Sequence, residues 1–191
     1  ATGCAQTDAG HETCRNEKNR GKCLQEDINM TTFAGAPVTL EGTRLKPGSI
    51  MPDFTVTDVN LAQIDPMKIE GTKIILSVPS ADTPVCSAEL AKFMHALEGT
   101  DVKLVSVSMD LPFALKRWMD MEQNDNLIAT SDFKDRSFAK AAGVRMAENG
   151  LLARAVFVVN PAGEILYDEY VDEVTQEPDY DKALEAAGVK K

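Results

Sequence analysis

The sequence predicts an α/β protein with a mixed central sheet flanked by helices, and three observations lead to this prediction. Short continuous apolar runs alternate along the chain with segments whose apolar residues recur at helical spacing. Strands that are separated by a helix are expected to run parallel. The last two runs, ARAVFVVN and EILYDEYV, are instead joined by Pro-Ala-Gly, which is typical of an antiparallel hairpin, and a helical segment, DYDKALEAAG, follows them.

The chain is predicted to comprise an extension, residues 1–29, and one domain, residues 30–191. The extension has almost no large apolar residues and no clear period, so we expect it to lie outside the core. At the start of the domain, MTTFAGAPVTLEG has β-branched and aromatic residues on both sides of a Gly-Ala-Pro segment. This pattern predicts an N-terminal β-hairpin whose turn is Gly-Ala-Pro.

The elements between the two hairpins follow from their apolar spacing. TKIILSV suits a central strand that is buried on both faces, and Gly99 is expected to end the helix that begins near Val85. The other predicted strands are DFTVTD, VKLVSVS and LIATSD, and the other predicted helices are PFALKRWMDMEQ and SFAKAAG. The resulting order, β-α-β-α-β-α-β-β-α, is typical of a thioredoxin-like fold.

The composition is that of a globular protein, and it limits the classes of partner that the chain is expected to bind. Its 191 residues are enough for one domain with a proper core, and its apolar and charged contents, 43% and 26%, are ordinary. The net charge of −10 argues against nucleic acid or an anionic membrane surface as a partner, since both attract basic patches. No apolar stretch approaches the roughly 20 residues that cross a bilayer.

The segment SVPSADTPVC places a cysteine where a thiolate is stabilised. Thr83 is expected to be the N-cap of a helix, with Pro84 at its first position and Cys86 at its third. There the helix dipole and the unpaired N–H groups favour a negative charge, so Cys86 is predicted to be reactive. It also follows a central strand at its carboxyl end, where open α/β sheets place their sites. The alternative is a buried, inert cysteine at the start of a helix.

Four motifs, in order and at suitable spacing, resemble the thiol peroxidase (Tpx) class of the peroxiredoxin family. They are SVPSADTPVC, MDLPFA, GLLARAVFVV and VDEVTQEPDYDKAL, and the resemblance covers residues 30–188. The first contains the peroxiredoxin signature Pro-x-x-x-Thr/Ser-x-x-Cys, here Pro79, Thr83 and Cys86. The resemblance implies a thiol-dependent peroxidase that reduces hydrogen peroxide or organic hydroperoxides and needs no cofactor or metal.

The resemblance assigns a role to four residues. Cys86 matches the peroxidatic cysteine, whose thiolate attacks the hydroperoxide and becomes a sulfenic acid. Thr83 matches the residue that holds the peroxide oxygens, Pro79 the proline that walls the pocket, and Arg154 the arginine that polarises thiolate and peroxide. Arg154 is also a lone cation at the start of an apolar strand, where a buried cation needs an anion such as a thiolate. The alternative is that Arg154 points to solvent at the edge of the strand.

Neither histidine is expected to act as a base for Cys86. His11 lies in the extension, and His95 lies on the predicted helix far from its start, where we expect a partly exposed surface residue. The nucleophile must therefore be activated by stabilisation of its thiolate rather than by proton transfer to a histidine.

The chain departs from the family at the position of the resolving cysteine. In this class that cysteine lies on the helix after DLPFA and forms a disulfide with the oxidised peroxidatic cysteine, whereas here the position is Met119. A thioether cannot form that disulfide, so we expect one-cysteine behaviour with an external reductant, either a thioredoxin-like protein or a small-molecule thiol. The alternative is resolution by a cysteine of the extension.

The resemblance also implies a homodimer. In this class the segment that corresponds to Asp110–Ala114, and the helix after it, lie near the dimer interface, so Phe113 and Trp118 are candidate interface residues. Ordinary core packing is the alternative for both. The acidic pair in VDEVTQEPDY is expected to be a solvated turn.

Two other functions compete with the peroxidase. A disulfide oxidoreductase of the same fold would need a Cys-x-x-Cys pair, and CSAE has Glu89 at the second position. A redox-inactive binding module would act through the extension, which holds four potential zinc ligands whose spacing fits no standard motif: Cys4, His11, Cys14 and Cys23.

The extension also bears on localisation. ATGC resembles the end of a lipoprotein signal, in which Cys4 becomes the lipidated first residue, so a periplasmic or lipid-anchored protein is favoured. Cys14 and Cys23 are then free to pair in a disulfide, since such a compartment is oxidising. The alternative is a cytoplasmic enzyme with reduced extension cysteines, which is usual for this class.

Overall fold

A computed structural model of the protein describes residues 30–190. The predictions for the extension, namely a lipid anchor at Cys4, a disulfide between Cys14 and Cys23, and a zinc site that includes His11, lie outside the described residues. Within the described part, no helix is long and apolar enough to cross a bilayer.

The described residues form eleven strands and four α-helices. The strands are β1 (Thr32–Phe33), β2 (Ala36–Pro37), β3 (Leu40–Glu41), β4 (Val56–Asp58), β5 (Gln63–Ile64), β6 (Lys73–Ser77), β7 (Lys103–Ser108), β8 (Ile128–Ser131), β9 (Arg145–Met146), β10 (Ala155–Val159) and β11 (Ile165–Tyr170). The helices are α1 (Pro84–Ala96), α2 (Pro112–Glu122), α3 (Ser137–Ala142) and α4 (Tyr180–Ala186), and a short 3-10 turn covers Pro66–Lys68.

One seven-stranded sheet, in the order β11-β10-β6-β7-β8-β4-β5, carries the fold. The strands β6, β7 and β8 run parallel, because a helix connects each to the next. β10 is antiparallel to both β6 and β11, and β4 is antiparallel to β8. The predicted α/β class, the mixed sheet and the thioredoxin-like order of elements are therefore confirmed.

The two faces of the sheet carry separate apolar cores, because successive side chains of a strand point to opposite faces. On β6, Ile74 and Leu76 belong to a cluster with apolar residues of α1, α2 and α4. Ile75, between them, belongs to a second cluster with Phe138 and Ala142 of α3. A strand that is covered on both faces reads as a continuous apolar run, which is why TKIILSV predicted a central strand correctly.

The N-terminal hairpin forms, but its turn differs from the prediction. β1 pairs with β2, and the turn consists of Ala34 and Gly35, both of which have positive φ, 50° and 79°. Pro37 therefore lies in the second strand rather than in the turn, because glycine adopts this conformation without steric cost and proline cannot. The two-residue strands β3, β5 and β9 were not predicted, since such short segments show no period.

The end of α1 also differs from the prediction. The helix ends at Ala96, before Gly99. The N–H of Leu97 still bonds to the carbonyl of Phe93, but the N–H of Thr100 then bonds to the carbonyl of Leu97, which closes a turn instead of extending the helix. Gly99 has a φ of 74° and lies in that turn rather than at the helix cap.

Asp172 is exposed and Glu173 partly exposed, as expected for a solvated pair, but Glu173 also makes hydrogen bonds that the sequence did not predict. Its carboxylate accepts hydrogen bonds from the hydroxyl of Thr32 at 2.5 Å and from the backbone N–H groups of Ala34 at 2.9 Å and Gly35 at 3.0 Å. Hydrogen bonds from the hydroxyls of Thr175 and Thr32 lower the pKa of Glu173 to about 2. Glu173 therefore fastens the N-terminal hairpin to the segment that follows β11.

Candidate active site

The first turn of α1 has the predicted capping geometry. Thr83 is the N-cap, Pro84 is the first helical residue, and the N–H of Cys86 donates to the Thr83 hydroxyl oxygen at 3.4 Å. The same hydroxyl donates to the carbonyl of Ser80 at 3.1 Å. Pro79 is buried in the loop that joins β6 to this turn. The sequence reasoning therefore placed Pro79, Thr83 and Cys86 in one short segment at the carboxyl end of β6, as observed.

Asp110 holds the loop that leads into α1, a role that the sequence did not indicate. Its carboxylate accepts hydrogen bonds from the Ser80 hydroxyl at 2.7 Å, the Ala81 N–H at 2.8 Å and the Ser108 hydroxyl at 3.1 Å. Asp110 lies two residues after the end of β7, which is the strand next to β6. The sheet therefore fixes the position of the loop between β6 and α1 through this side chain. The residue was interpreted as part of a segment near a dimer interface, but within the chain it orders the entry to the site.

Arg154 lies directly beside Cys86. It immediately precedes β10, whose antiparallel register places Ala155 opposite Ser77, so Arg154 reaches the end of β6 where α1 begins. Its Nη2 donates a hydrogen bond to the Sγ of Cys86 at 3.2 Å. Arg154 is 2% exposed and Cys86 is 0% exposed. The alternative that Arg154 points to solvent is therefore wrong, because the guanidinium lies inside the fold against the sulfur.

Glu89 completes the site and was missed as a site residue. It lies one helical turn after Cys86, so both side chains project from the same face of α1. Its Oε2 accepts a hydrogen bond from Nη1 of Arg154, and the side chain is fully buried. Burial raises the pKa of Glu89 to about 7, although the adjacent charge of Arg154 opposes that rise. The signal in the sequence is the spacing Cys-x-x-Glu, which by itself indicates only that a second cysteine is absent.

A third contact fixes the guanidinium. Nε of Arg154 donates to the carbonyl of Val174 at 2.8 Å, and the N–H of Val174 donates to the carbonyl of Thr32 at 2.8 Å. The segment held by Glu173 and the N-terminal hairpin thus reaches the site through Val174. Arg154 is held on three sides: by a carboxylate, by a backbone carbonyl and by the sulfur.

The charge of Arg154 is retained despite its burial. Burial opposes the charged form, but the negative charge of Glu89 and the contact with Cys86 outweigh it and raise the pKa of Arg154. A cation that remains charged in a shielded site stabilises a thiolate more strongly than it would in water. The arrangement can therefore generate a sulfur nucleophile without a histidine.

His95 is a surface residue, as predicted. Its side chain is 85% exposed, and its Nδ1 lies 3.4 Å from the carboxylate of Glu98 on the same helix. Cys86 has a free thiol. Within residues 30–190, no group of three or more His, Cys, Asp or Glu side chains is arranged to hold a metal ion.

The remaining residues for which the sequence predicted a role lie on α2. Trp118 is a core residue, 5% exposed, and its Nε1 donates to the hydroxyl of Ser87 at 3.2 Å, so core packing is the correct alternative for it. Met119, which the resemblance assigns to the position of the resolving cysteine, packs against the apolar cluster that includes Cys86. Phe113 is 68% exposed.

Comparison with known proteins gives relatives that cover most of the chain. Residues 46–184 match the Redoxin family. A thiol peroxidase of Clostridium acetobutylicum is 42% identical over 160 residues, which cover 83% of this chain and 98% of that protein. A thiol peroxidase of Bacillus subtilis is 44% identical over 158 residues, which cover 82% of this chain and 95% of that protein.

Solved structures agree with these relatives. The crystal structure of a peroxiredoxin-like protein from Aquifex aeolicus has a TM-score of 0.79 and 37% identity, with 84% of this chain and 96% of that chain covered. The thiol peroxidase from Chromobacterium violaceum, 20% identical, has a TM-score of 0.75 and shares the fold, with 80% of this chain and 91% of that chain covered. The Redoxin match contains every described residue of the site on β6, α1 and the segment before β10. The chain therefore belongs to the thiol peroxidase class of the peroxiredoxin family.

Proposed function

We propose that this protein is a thiol-dependent peroxidase whose nucleophile is Cys86. The observation that supports this most directly is the hydrogen bond of 3.2 Å from Arg154 to the Cys86 sulfur, at the start of a helix and shielded from solvent. A cation and a helix N-terminus both favour a thiolate, and the thiolate is the nucleophile. The substrate class is hydrogen peroxide or an organic hydroperoxide.

The first step transfers one oxygen atom to sulfur. The thiolate attacks the terminal oxygen of the hydroperoxide, an S–O bond forms, and the O–O bond breaks. The leaving hydroxide or alkoxide takes up a proton and departs as water or an alcohol, while Cys86 becomes a sulfenic acid. The peroxide is reduced by two electrons, and the sulfur is oxidised by the same two.

Each of the other site residues has a separate role in that step. The Thr83 hydroxyl, which accepts from the N–H of Cys86 in this structure, is proposed to hold a peroxide oxygen, and Pro79 is proposed to wall the pocket that the substrate enters. Arg154 stabilises the negative charge as it moves from sulfur to the leaving oxygen. Glu89 positions Arg154 through the second terminal nitrogen of its guanidinium. This pairing also argues against a disulfide oxidoreductase, because Glu89 occupies the place where that activity would need a second cysteine.

Substrate access requires a local movement. Cys86 has no exposed surface, whereas Thr83 next to it is partly exposed and Pro84 is exposed. We infer that a hydroperoxide reaches the sulfur when the first turn of α1 opens. Such openings cost little at helix ends, where few hydrogen bonds hold the chain.

The sulfenic acid is proposed to be reduced by an external thiol, either a thioredoxin-like protein or a small molecule. The first thiol attacks the sulfenic sulfur and releases water, which leaves a mixed disulfide. A second thiol then attacks the donor sulfur of that mixed disulfide. This step restores the Cys86 thiol and releases the two donor thiols joined as a disulfide. Met119 cannot substitute for the first thiol, and a cysteine of the extension is the alternative.

A homodimer is part of the proposal. Phe113 and Leu111, at the start of α2, are 68% and 53% exposed, and large apolar side chains this exposed are typical of contact surfaces. Sedimentation analysis of the wild type against Phe113→Glu tests it. A dimer that the variant disrupts supports the surface, and a monomeric wild type at high concentration rejects it.

The central test is peroxide consumption by Cys86→Ser with dithiothreitol as the electron donor. We expect no turnover, because a serine hydroxyl does not ionise near neutral pH. Thermal unfolding of the variant checks that it folds. Turnover like that of the wild type would reject Cys86 as the nucleophile.

The resolution route is tested on protein in which Cys4, Cys14 and Cys23 are all replaced by serine. After one equivalent of peroxide, a sulfenic-acid reagent should trap Cys86, and turnover with a small-molecule thiol should persist. Lost turnover, together with a Cys86 disulfide in the intact chain, would instead show that the extension supplies the resolving thiol.

A further inference from the structure

A pocket of about 300 Å³ lies away from Cys86, between the segment of β3 and the helix α3. Its lining residues are Glu41, Gly42, Arg136, Ala139, Lys140 and Arg145. Its volume falls at the lower end of the range for small-molecule sites. None of the residues proposed for peroxide reduction lines it, so the peroxidase activity does not explain it.

The charge of the pocket is opposite to that of the protein. Three cations and one carboxylate line it, whereas the whole chain carries a net charge of −10. Arg136 and Lys140 are exposed, and within residues 30–190 neither is among the residues that form an ion pair. Grouping like charges without partners costs free energy, which a bound anion recovers.

Arg145 gives a second, independent indication. Its Nη1 pairs with the carboxylate of Glu41, while its Nε is shielded from solvent and has no hydrogen-bond partner within the described residues. A buried donor without a partner is uncommon in native proteins and costs free energy. Because Arg145 also lines the pocket, an anion bound there is a candidate acceptor for this nitrogen.

The backbone beside the pocket is closely packed at two glycines. Gly42 lies on the lining, and a Cβ at this position would come within 3.1 Å of the Cα of Gly143 and 3.4 Å of the carbonyl of Lys140. A Cβ on Gly143 would lie 2.6 Å from the carbonyl oxygen of Thr43. A Cβ is therefore disfavoured at Gly42 and excluded at Gly143, and both glycines have positive φ, 104° and 64°.

We propose that this pocket binds a small molecule that carries a phosphate monoester. The pocket has an excess of two positive charges, which matches the charge of about −1.5 to −2 on a phosphate monoester at neutral pH. Guanidinium groups bind phosphate oxygens through two parallel N–H donors, and Lys140 adds a point charge. A phosphate concentrates its charge on three neighbouring oxygens and so suits a cluster of cations, whereas a dicarboxylate spreads its charge over two separated groups.

The probe for the test is inorganic phosphate, titrated into the reduced, full-length protein at constant ionic strength with sodium chloride as the balance. Amide chemical shifts of Gly42 and Gly143 report on the pocket directly. We expect these shifts to saturate. The double variant Arg136→Gln with Lys140→Gln should weaken the apparent affinity by about tenfold or more, as expected for lost charge-assisted hydrogen bonds.

The matched control is Lys103→Gln with Lys116→Gln, which removes the same number of exposed cations elsewhere. The control should bind phosphate as the wild type does, since it leaves the pocket intact. Shifts that rise linearly without saturation, or that weaken equally in both double variants, would overturn the site. Succinate that binds as tightly as phosphate would overturn the phosphate assignment.

Discussion

Arg154 and Glu89 form an ion pair that is almost wholly shielded from solvent, and the same guanidinium donates a hydrogen bond to the sulfur of Cys86. One cation therefore faces two groups that can each carry a negative charge. When Glu89 is ionised, it shares the charge of Arg154 with the sulfur. When Glu89 is protonated, the thiolate is the only negative group that the positive charge of Arg154 stabilises at this site.

Glu89→Gln should quicken the reaction of Cys86 with peroxide, because Arg154 then interacts with the sulfur without a competing carboxylate. The amide oxygen still accepts the hydrogen bond from Arg154, but it brings no competing negative charge. Rapid-mixing measurement of the second-order rate constant with peroxide checks this. Glu89→Ala is the partner variant: it removes the support of the guanidinium, and we expect it to slow peroxide reduction. A rate constant in Glu89→Gln at or below that of the wild type would contradict the proposed sharing of charge.

Glu89 should also make stability depend on pH near neutrality. Burial raises the pKa of Glu89 to about 7, above its ordinary value of 4.5, so the folded protein binds this proton more tightly than the unfolded chain. The corresponding stability is fully present below pH 4.5 and is lost as pH rises through about 7. Urea unfolding at a series of pH values should therefore show a decline between these limits that is weaker in Glu89→Gln. An identical decline in both proteins would assign it to other groups.

Arg154→Lys should reduce the rate with peroxide by about 10- to 100-fold, the cost of one or two charge-assisted hydrogen bonds. Lysine keeps the charge, but it lacks the rigid fork that bonds Val174, Glu89 and Cys86 at once. Rapid-mixing measurement of the second-order rate constant tests this. Arg117→Lys, at an exposed pair with Asp82, is the matched control and should be near the wild type. A rate unchanged in Arg154→Lys would mean that charge alone suffices.

Glu173→Gln should loosen the N-terminal hairpin. The carboxylate accepts bonds from Thr32, Ala34 and Gly35, and its pKa is lowered to about 2, so it stabilises the fold above its ordinary value of 4.5 and stops doing so as pH falls toward 2. We expect hydrogen exchange of the hairpin amides to quicken by roughly three- to tenfold near neutral pH. Asp172→Asn removes a charge from the same turn without these bonds and serves as the control. Equal exchange in both variants would exclude the proposed role of Glu173.

Features that depend on residues close together in the sequence were predicted better than contacts between residues far apart. The cap at Thr83 and the place of Cys86 depend on residues within one helical turn, and the buried strand depends on a run of apolar residues, so the sequence alone indicates both. The contact of Arg154 with Glu89 joins residues 65 positions apart, and no local pattern specifies it. The same holds for Asp110, which orders a loop 30 positions earlier in the chain. The turn at Ala34–Gly35 was misplaced because the proline next to it is the stronger turn signal.

Met119→Cys should convert the enzyme from one-cysteine to two-cysteine behaviour. Met119 is the residue that the sequence motif assigns to the resolving position. It packs against the apolar cluster that contains Cys86, and α2 is tied to α1 by the bond from Trp118 to Ser87. The introduced thiol can attack the sulfenic acid and release water, although a disulfide needs Cα atoms within about 7 Å and therefore some movement of the first turn of α1.

The readout for Met119→Cys is the product formed with excess peroxide, measured by mass spectrometry in protein that lacks the three extension cysteines. In the parent protein, the sulfenic acid has no internal partner, so we expect it to proceed to the sulfinic acid as peroxide increases. In Met119→Cys, a disulfide between Cys86 and the introduced cysteine should compete with that oxidation and protect the enzyme. Met121→Cys, whose side chain is 74% exposed on the same helix, is the matched control and should not protect. Equal over-oxidation of all three proteins would show that residue 119 cannot reach the sulfur even when the site opens.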